Sequence, residues 1–549
     1  MLRVTTFLIA CSLSPAQAPQ VARVAMYDGV RLSTNIFLPT GSGKFQTLLV
    51  RTPYGKGRHL LAGYTTFLEN GFAVVVQDVR GRYGSEGVFR PPLQEDRDGN
   101  DTINWIAAQP WSDGTVGMLG GSYLGIAQWR AALRRNPKLR AIFPVVAGSD
   151  EYLDRFYSPG GALKIGHRMQ WMVENVSVPN HIRLPFREFI SHLPLRTMDR
   201  VATGQSVAFY QESLSHPGYD DYWRARSTRQ RLHDVAIPAF IVGGWYDNFV
   251  ESDLAAFAEL SKRSAAHRIL IGPWPHNMSA SFPGVTFGRA SVVNLRAIQL
   301  SWFQHWMRGP QPVPAFPQAP VRIFVMGANR WRNENEWPIA RAKYTPLYLS
   351  RGKVLVSEPP PDARDTYVYD PDNPVPTTGG AVCCNPQVLP WGPMDQREVE
   401  AREDVLVYST PPLGEDTEVT GAIRVLLYVS TTAPDTDFTA KLVDVFPNGH
   451  ARNLCDGILR LRYRNGLRKA DLARPGQVYA VIVPAGVTSN VFKVGHRIRL
   501  EISSSNFPRF DRNPNTGRAI ADESEVRAAR QTIFHGRKRP SHLLLPVIP

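Results

Sequence analysis

Three residues that together could carry out acyl transfer follow one another along the chain, each at the end of a predicted strand. Ser122 comes after the apolar segment 115–119. Asp247 follows the apolar run 237–244, and His276 follows the next predicted strand. A serine nucleophile, an acid that orients a histidine, and a histidine that acts as general base occur in this chain order in one group of catalytic triads. We therefore predict that Ser122, Asp247 and His276 form a triad.

The surroundings of Ser122 favour a sharp turn between a strand and a helix. Gly120 and Gly121 precede the serine, and Gly125 follows it. Such a turn needs glycines because larger side chains would collide with the neighbouring strand and helix. The strict pattern has glycine two residues after the serine, where this chain has Leu124. A glycine-rich turn without chemistry therefore remains the alternative when Ser122 is considered alone.

Two tyrosines are candidates for the donors that stabilise the oxyanion of a tetrahedral intermediate. One donor is normally the backbone N–H after the nucleophile, which belongs to Tyr123 here, and the other comes from an earlier loop. The loop after the predicted strand 47–50 contains Tyr54. Its phenol is the candidate second donor, and a tyrosine packed under the loop is the alternative interpretation.

Several ordered motifs resemble the cocaine-esterase-like and X-prolyl dipeptidyl-peptidase family of α/β-hydrolase serine enzymes. The motifs are Arg51–Tyr54, Asp78–Gly81, Gly84–Gly87, Gln109–Trp111 with Gly117-Met118, Gly120–Gly125, Gly244–Asp247, Gly272–His276 and Ser504–Pro508. The resemblance spans nearly the whole chain after the first twenty residues. It implies a triad of Ser122, Asp247 and His276, with an oxyanion hole made by the Tyr54 O–H and the Tyr123 N–H.

The order of predicted strands and helices indicates an α/β fold with further domains. Strand and helix patterns alternate over 19–148 and again over 236–340, which is typical of a parallel sheet covered by helices. Residues 149–235 read as an inserted helical cap. Short alternating strands with proline and glycine turns over 341–549 predict a β-sandwich, and the resemblance specifies a jelly roll. We expect an α/β-hydrolase sheet, a cap and a C-terminal jelly roll.

Composition describes an ordinary globular protein with an excess of positive charge. The 549 residues are 43% hydrophobic and 20% charged, and the formal net charge is +15. That excess could favour acidic substrates or an anionic envelope surface. The basic residues are scattered rather than clustered, so we do not expect nucleic acid as a partner. No later apolar run reaches the length of about 18 residues that a membrane span needs.

The first eighteen residues resemble an export signal. A short basic start precedes an apolar run, and Ala16–Ala18 has the small-x-small pattern of a cleavage site. The segment Leu8–Cys11 also resembles a bacterial lipoprotein box, in which Cys11 would carry a lipid anchor. We expect a secreted or periplasmic protein, which includes the lipoprotein form, and a cytoplasmic enzyme if the start codon is misassigned.

Cysteine usage is sparse and predicts neither a disulfide framework nor a metal site. Apart from Cys11, the chain has adjacent Cys383 and Cys384 and a distant Cys455. Neighbouring cysteines bond to each other only under strain. One bridge from Cys455 to Cys383 or Cys384 is therefore one expectation, and three free thiols is the other. We expect no metal and no cofactor, because neither cysteine spacing nor a histidine cluster indicates one.

The substrate is the least determined feature of the sequence. Esters, X-Pro peptides and β-lactam side-chain amides are all handled in the family that the chain resembles. Members acting on α-amino acyl esters carry acidic residues two and three positions after the aspartate, where this chain has Phe249 and Val250. Phe249 suits an apolar or aromatic acyl group, and plain core packing is its alternative.

We therefore predict a serine hydrolase that cleaves small carboxylic esters or amides. An X-Pro dipeptidyl-peptidase or a β-lactam acylase is the nearer alternative, and a non-catalytic envelope binding protein is the remote one. A dipeptidyl-peptidase needs a cap carboxylate to bind the substrate amine. The candidates for that carboxylate are Asp150, Glu151, Asp154, Glu174 and Glu188. Oligomeric state does not follow from the sequence.

Overall fold

The structure is a computed structural model that describes residues 18–309 and 318–549. The predicted signal segment, apart from Ala18, and the predicted lipid anchor at Cys11 lie outside the described residues. Among the described helices, none combines the length and the apolar character that crossing a bilayer requires.

A ten-stranded sheet forms the first part of the chain. Its strands are β1 (Gln20–Ala25), β2 (Arg31–Phe37), β3 (Phe45–Thr52), β4 (Phe72–Asp78), β5 (Ser112–Gly121), β6 (Leu139–Val145), β7 (Phe240–Tyr246), β8 (Arg268–Pro275), β11 (Val321–Val325) and β12 (Arg330–Glu334). Between β8 and β11, the strands β9 (Ser281–Phe282) and β10 (Val285–Thr286) form a separate small hairpin. Their spatial order is β1-β2-β4-β3-β5-β6-β7-β8-β11-β12. The strands from β4 to β11 in that order run parallel, and β1, β2 and β12 add antiparallel edges. All seven residues of β4 are buried, as expected for a parallel strand covered on both faces.

Helices cover this sheet and also form the insertion between β6 and β7. They are α1 (Ala62–Glu69), α2 (Glu95–Ala107), α3 (Tyr123–Ala132), α4 (Ile165–Val176), α5 (Phe186–Phe189), α6 (Leu195–Thr203), α7 (Ala208–Ser215), α8 (Asp221–Arg226), α9 (Val250–Ser261), α10 (Leu295–Arg308) and, far along the chain, α11 (Arg397–Glu400). The insertion holds α4 to α8, preceded by a π-helical turn at Glu151–Phe156 and followed by a 3₁₀ turn at Arg229–Asp234. Further 3₁₀ turns lie at Arg289–Ser291, Leu461–Tyr463 and Ile520–Asp522. We refer to the insertion between β6 and β7 as the cap.

The C-terminal part is an eleven-stranded, almost wholly antiparallel β domain. Its strands are β13 (Lys343–Ser350), β14 (Val354–Val356), β15 (Ala363–Tyr369), β16 (Leu406–Ser409), β17 (Thr417–Thr431), β18 (Asp437–Val445), β19 (Ala451–Arg460), β20 (Tyr479–Phe492), β21 (Arg497–Ser503), β22 (Ala529–His535) and β23 (His542–Ile548). Only the short pair β14 and β16 is parallel among the described pairs. An α/β-hydrolase sheet with a helical insertion and a β-rich C-terminal domain is the fold class that the sequence predicts, and the prediction is confirmed.

The C-terminal domain packs tightly against the cap. The Gly166 N–H, in the first turn of α4, donates a hydrogen bond to the Pro508 carbonyl at 2.8 Å. A Cβ on Gly166 would lie 2.4 Å from that same carbonyl oxygen, so only glycine permits this approach. The Leu163 N–H donates to the Asp511 carboxylate at 2.8 Å. The motif that ends at Pro508 therefore holds the beginning of α4.

Neither of the two expectations for the cysteines, a bridge from Cys455 to Cys383 or Cys384 or three free thiols, matches the structure. The structure bonds Cys383 to its neighbour Cys384 and leaves Cys455 free and buried. Cys455 is fixed within β19 among core side chains. The Cys384 N–H instead donates to the Gln170 side chain of α4 at 3.1 Å, so the adjacent pair lies beside the cap helix.

Candidate active site

Ser122 occupies a strained turn between β5 and α3. Its φ of +55° and ψ of −124° lie in a region that non-glycine residues rarely adopt. A Cβ on Gly125 would lie 2.5 Å from the Ala147 Cβ, and a Cβ on Gly120 would lie 2.6 Å from the Leu124 Cβ. The turn thus requires glycine at 125, where α3 packs on Ala147. It tolerates Leu124 because this side chain packs over Gly120, which has no side chain of its own.

Asp247 and His276 meet at the carboxyl ends of the neighbouring strands β7 and β8. The His276 Nδ1 and the Asp247 Oδ1 are 2.8 Å apart. Asp247 is fully buried, and its other carboxylate oxygen accepts the Phe249 N–H at 3.2 Å. The carboxylate therefore fixes the imidazole with its proton on Nδ1, which leaves Nε2 free to accept a proton. Ser122 ends β5 at this same edge of the sheet.

The Tyr54 phenol lies close enough to the Ser122 hydroxyl to interact with it. The Trp171 indole N–H, from the cap helix α4, donates a hydrogen bond to the Tyr54 phenol oxygen at 3.1 Å. The residue is 37% exposed, and desolvation of its phenol by the surrounding protein raises the pKa of Tyr54, so the group stays protonated. Because the oxygen accepts from Trp171, the phenol proton remains available for a third group, as an oxyanion donor requires.

Tyr123 begins α3, where the first backbone N–H groups have no partner within the helix. Its own side chain is buried, and the phenol donates to the Glu95 carboxylate at 2.9 Å. The phenol is thus occupied elsewhere. Only the backbone N–H of Tyr123 can serve the oxyanion, as the sequence predicts.

Aromatic side chains from the cap and the sheet surround this constellation. The Phe249 ring lies 5.4 Å from the His276 ring and 5.9 Å from the His167 ring of α4. Phe89 lies between Tyr123 and Trp171, with centroid distances of 6.0 and 6.4 Å. Phe249 is 1% exposed, so it belongs to the core and also borders His276.

The predicted amine-binding carboxylates of the cap are mostly engaged. Asp150 accepts hydrogen bonds from two backbone N–H groups and from two hydroxyls, and Asp154 accepts two backbone N–H groups. Glu151 pairs with Arg155 at 2.5 Å. Glu174 accepts from two side-chain amides, and Glu188 is exposed. Each buried carboxylate of this set therefore already has a partner within the protein, which a substrate amine would have to compete with or displace.

One group of potential metal ligands lies next to the site. His167, Cys383 and Cys384 bring a ring nitrogen and two sulfurs within 4.8 Å of one another. Burial of its ring keeps the pKa of His167 well below the usual value, so the imidazole is neutral. The disulfide withholds both thiolates from a metal. No spacing in the sequence indicates this group, because only the fold brings the three residues together.

Trp171 was missed as a functional candidate by sequence reasoning. The sequence places it in a helix-like stretch of the cap, together with Arg168 and Met172. Helical spacing alone identifies the residues that share a face with Trp171, but not the loop that this face meets. The contact with Tyr54 follows only from how the cap is folded over the sheet.

Comparison with known proteins agrees with this geometry. Residues 28–278 match the family profile described as X-Pro dipeptidyl-peptidase (S15 family), and residues 315–544 match that of the X-Pro dipeptidyl-peptidase C-terminal non-catalytic domain. The chain is 39% identical to the cocaine esterase of Rhodococcus sp. (strain MB1 Bresler), over 96% of this chain and 97% of that protein.

Two solved structures are similar over essentially the whole length. An aminopeptidase from a marine sediment Thaumarchaeota archaeon has a TM-score of 0.88 and 25% identity, over 100% of this chain and 99% of the other. An α-amino acid ester hydrolase has a TM-score of 0.86 and 26% identity, over 99% and 98%. With a 39% identical relative that covers almost the whole chain, and with both parts of the chain matching profiles of one family, the protein belongs to the cocaine esterase and X-Pro dipeptidyl-peptidase (S15) family of serine hydrolases.

Proposed function

We propose that this serine hydrolase cleaves carboxylic esters through an acyl-serine intermediate on Ser122. The observation that carries the proposal is the 2.8 Å hydrogen bond between His276 and the buried Asp247, at the sheet edge where β5 presents Ser122. Such a histidine can act as general base because its orientation and tautomer are fixed. The 39% identity to a cocaine esterase supports ester cleavage.

The proposed reaction has two halves. Ser122 Oγ attacks the ester carbonyl carbon while His276 Nε2 accepts the hydroxyl proton, and the Tyr54 O–H and Tyr123 N–H bind the oxyanion. The tetrahedral intermediate collapses as the C–O bond to the alcohol breaks, and His276 returns the proton to the leaving oxygen. A water molecule then attacks the acyl-serine by the same sequence of proton transfers, which releases the acid and restores Ser122.

An X-Pro dipeptidyl-peptidase is the second candidate function, and the S15 family profile favours it. Three observations on the cap speak for the ester instead: Asp150 accepts hydrogen bonds on both of its carboxylate oxygens, and Asp154 and Glu151 are each engaged through one oxygen. A substrate ammonium would have to compete with those partners or displace them. The aromatic border at Phe249 and Trp171 suits an apolar acyl group better than a charged amine.

The test compares kcat/KM on 4-nitrophenyl acyl esters with that on Gly-Pro-4-nitroanilide. We expect strong ester turnover, no anilide cleavage, and loss of ester turnover in Ser122→Ala. Ser149→Ala is the matched control, because its hydroxyl already bonds to that of Ser252 at 3.0 Å. Fast anilide cleavage would replace the esterase proposal with the dipeptidyl-peptidase. Full ester activity in Ser122→Ala would contradict the mechanism.

We propose in addition that the enzyme is exported. The support is the basic start followed by an apolar run and the small-x-small motif at Ala16–Ala18. The test is the intact mass of the protein from its native host. Processing after the motif, or a lipidated terminus at Cys11, would support export, and a soluble cytoplasmic form that retains Met1 would contradict it.

A further inference from the structure

Arg168, on the cap helix α4, is a buried cation without a carboxylate. Its side chain is 3% exposed. Its one hydrogen bond runs from a terminal nitrogen to the Arg155 carbonyl at 3.4 Å, and its Nε has no partner in the described chain. A buried polar group of this kind is normally paired.

Every other buried arginine of the described residues has a carboxylate within 4.0 Å. Those arginines are Arg51, Arg80, Arg130, Arg155, Arg452, Arg460, Arg462 and Arg509. The fold thus pairs its buried arginines as a rule, and the exception lies in the cap. An exception of this kind is typical of a group whose partner is a ligand.

The unpaired guanidinium lies next to the proposed oxyanion hole. Its central carbon is 4.3 Å from the centre of the Phe156 ring and 5.4 Å from that of the Trp171 ring. Trp171 in turn donates to Tyr54, and the Tyr54 phenol is close enough to interact with the charge of Arg168. Arg168 and Trp171 are three residues apart in one helix and therefore share a face.

The charges around Arg168 do not balance. Glu151 is the acidic group that interacts with it, but the Glu151 carboxylate accepts two hydrogen bonds from Arg155, at 3.1 and 2.5 Å. Two guanidiniums therefore share one carboxylate. Burial, and then the nearby charge of Arg155, lower the pKa of Arg168 to about 9, so the side chain remains a cation at neutral pH.

We propose that Arg168 binds a carboxylate on the acyl group of the substrate, so that monoesters of dicarboxylic acids are the preferred class. This inference rests on the ester hydrolysis proposed above. A guanidinium matches a carboxylate through paired N–H groups, and it binds most strongly where water is excluded. The acyl side is assigned because the leaving alcohol departs beside His276, whereas Arg168 interacts with Tyr54 and Trp171.

The test uses two 4-nitrophenyl esters of equal size, those of 4-carboxybenzoic acid and 4-carbamoylbenzoic acid. A second pair, the monoesters of adipic and adipamic acid, covers flexible acyl groups. We expect the wild-type kcat/KM to be about 10- to 100-fold higher for the charged ester of at least one pair. Arg168→Met should abolish the preference by lowering the rate on the charged ester, with a much smaller change on its neutral partner. Arg168→Lys should retain part of the preference.

Arg183→Met is the matched control, since it removes an exposed charge from the same cap. Arg183→Met should keep the preference for the charged ester, because we do not attribute that preference to general attraction by the positive surface.

A wild-type enzyme that shows no charge preference in either pair overturns the inference. So does an Arg168→Met variant that slows charged and neutral esters equally, which would give Arg168 only a positioning role at Trp171. A preference confined to carboxylates on the leaving group would refute the acyl assignment. If no neutral ester is cleaved in a Ser122-dependent way, the proposed function itself fails, and that outcome is separate from the others.

Discussion

The hydrogen bond from Trp171 to Tyr54 gives a quantitative test of how the cap contributes to catalysis. Trp171→Phe keeps an aromatic ring against Phe89 and removes the indole N–H that donates to the Tyr54 oxygen at 3.1 Å. A neutral hydrogen bond contributes about 0.5–1.5 kcal/mol. We therefore expect kcat on a neutral 4-nitrophenyl ester to fall by roughly 2- to 13-fold. Tyr54→Phe should lower kcat by about 10²- to 10³-fold, because it removes an oxyanion donor.

The double variant separates the two explanations of such a loss. If Trp171 acts by orienting Tyr54, the variant lacking both groups should be as slow as Tyr54→Phe alone. Trp223→Phe is the control for removing a cap indole, because Trp223 donates to the His216 carbonyl instead. The refuting result is a Trp171→Phe effect of the same size in the Tyr54→Phe background as in the wild type. Thermal unfolding of the wild type and of the four variants would show whether a loss of fold explains any change in kcat.

Three further predictions concern the turn, the acid and the stability of the fold. Gly125→Ala should lower the free energy of unfolding by about 1–3 kcal/mol, because the added methyl group overpacks the turn; denaturant unfolding measures this change. Gly414→Ala should leave the free energy of unfolding nearly unchanged, since nothing lies within 4 Å of its added Cβ. Asp247→Asn should reduce kcat by about 10⁴-fold at unchanged unfolding temperature, because the amide favours the wrong tautomer of His276; a fall below tenfold would contradict that role. Burial lowers the pKa of His267 to about 4, so below pH 6.5 the unfolded state binds more protons than the folded state. The free energy of unfolding should therefore fall by on the order of 3 kcal/mol between pH 6.5 and 4. His267→Asn should lose that part of the pH dependence.

The common position of Ser122, Asp247 and His276 at one edge of the sheet could be predicted from the sequence, because it depends only on recognising the strands. Ser122, Asp247 and His276 each follow a strand of the parallel sheet. Since the carboxyl ends of neighbouring parallel strands meet at one edge, recognising the strands suffices to bring these residues together. The structure brings Asp247 and His276 into contact as expected, and Ser122 lies beside Tyr54. Their catalytic roles stay predictions until the variants are measured.

The partners across domains could not be predicted in this way. Trp171 and Arg168 lie on a helix whose contacts depend on how 149–235 folds over the sheet, and periodicity carries no information on that docking. The cysteine pairing could not be predicted for the same reason. The sequence left open a bridge from Cys455 or three free thiols, whereas β19 holds the Cys455 thiol in the core and Cys383 and Cys384 bond to each other.

The C-terminal domain is connected to the predicted catalytic residues through α4. Its Pro508 carbonyl binds the first turn of α4 at Gly166, and the segment at Cys384 binds the next turn at Gln170. The neighbouring residue Trp171 then reaches Tyr54. Because α4 is held at both turns by the C-terminal domain, that domain fixes the donor that orients the Tyr54 phenol. The domain that carries none of the predicted triad residues thereby positions the helix that orients Tyr54, the proposed oxyanion donor. A side chain at position 166 would disturb that arrangement, because its Cβ would lie 2.4 Å from the Pro508 carbonyl oxygen.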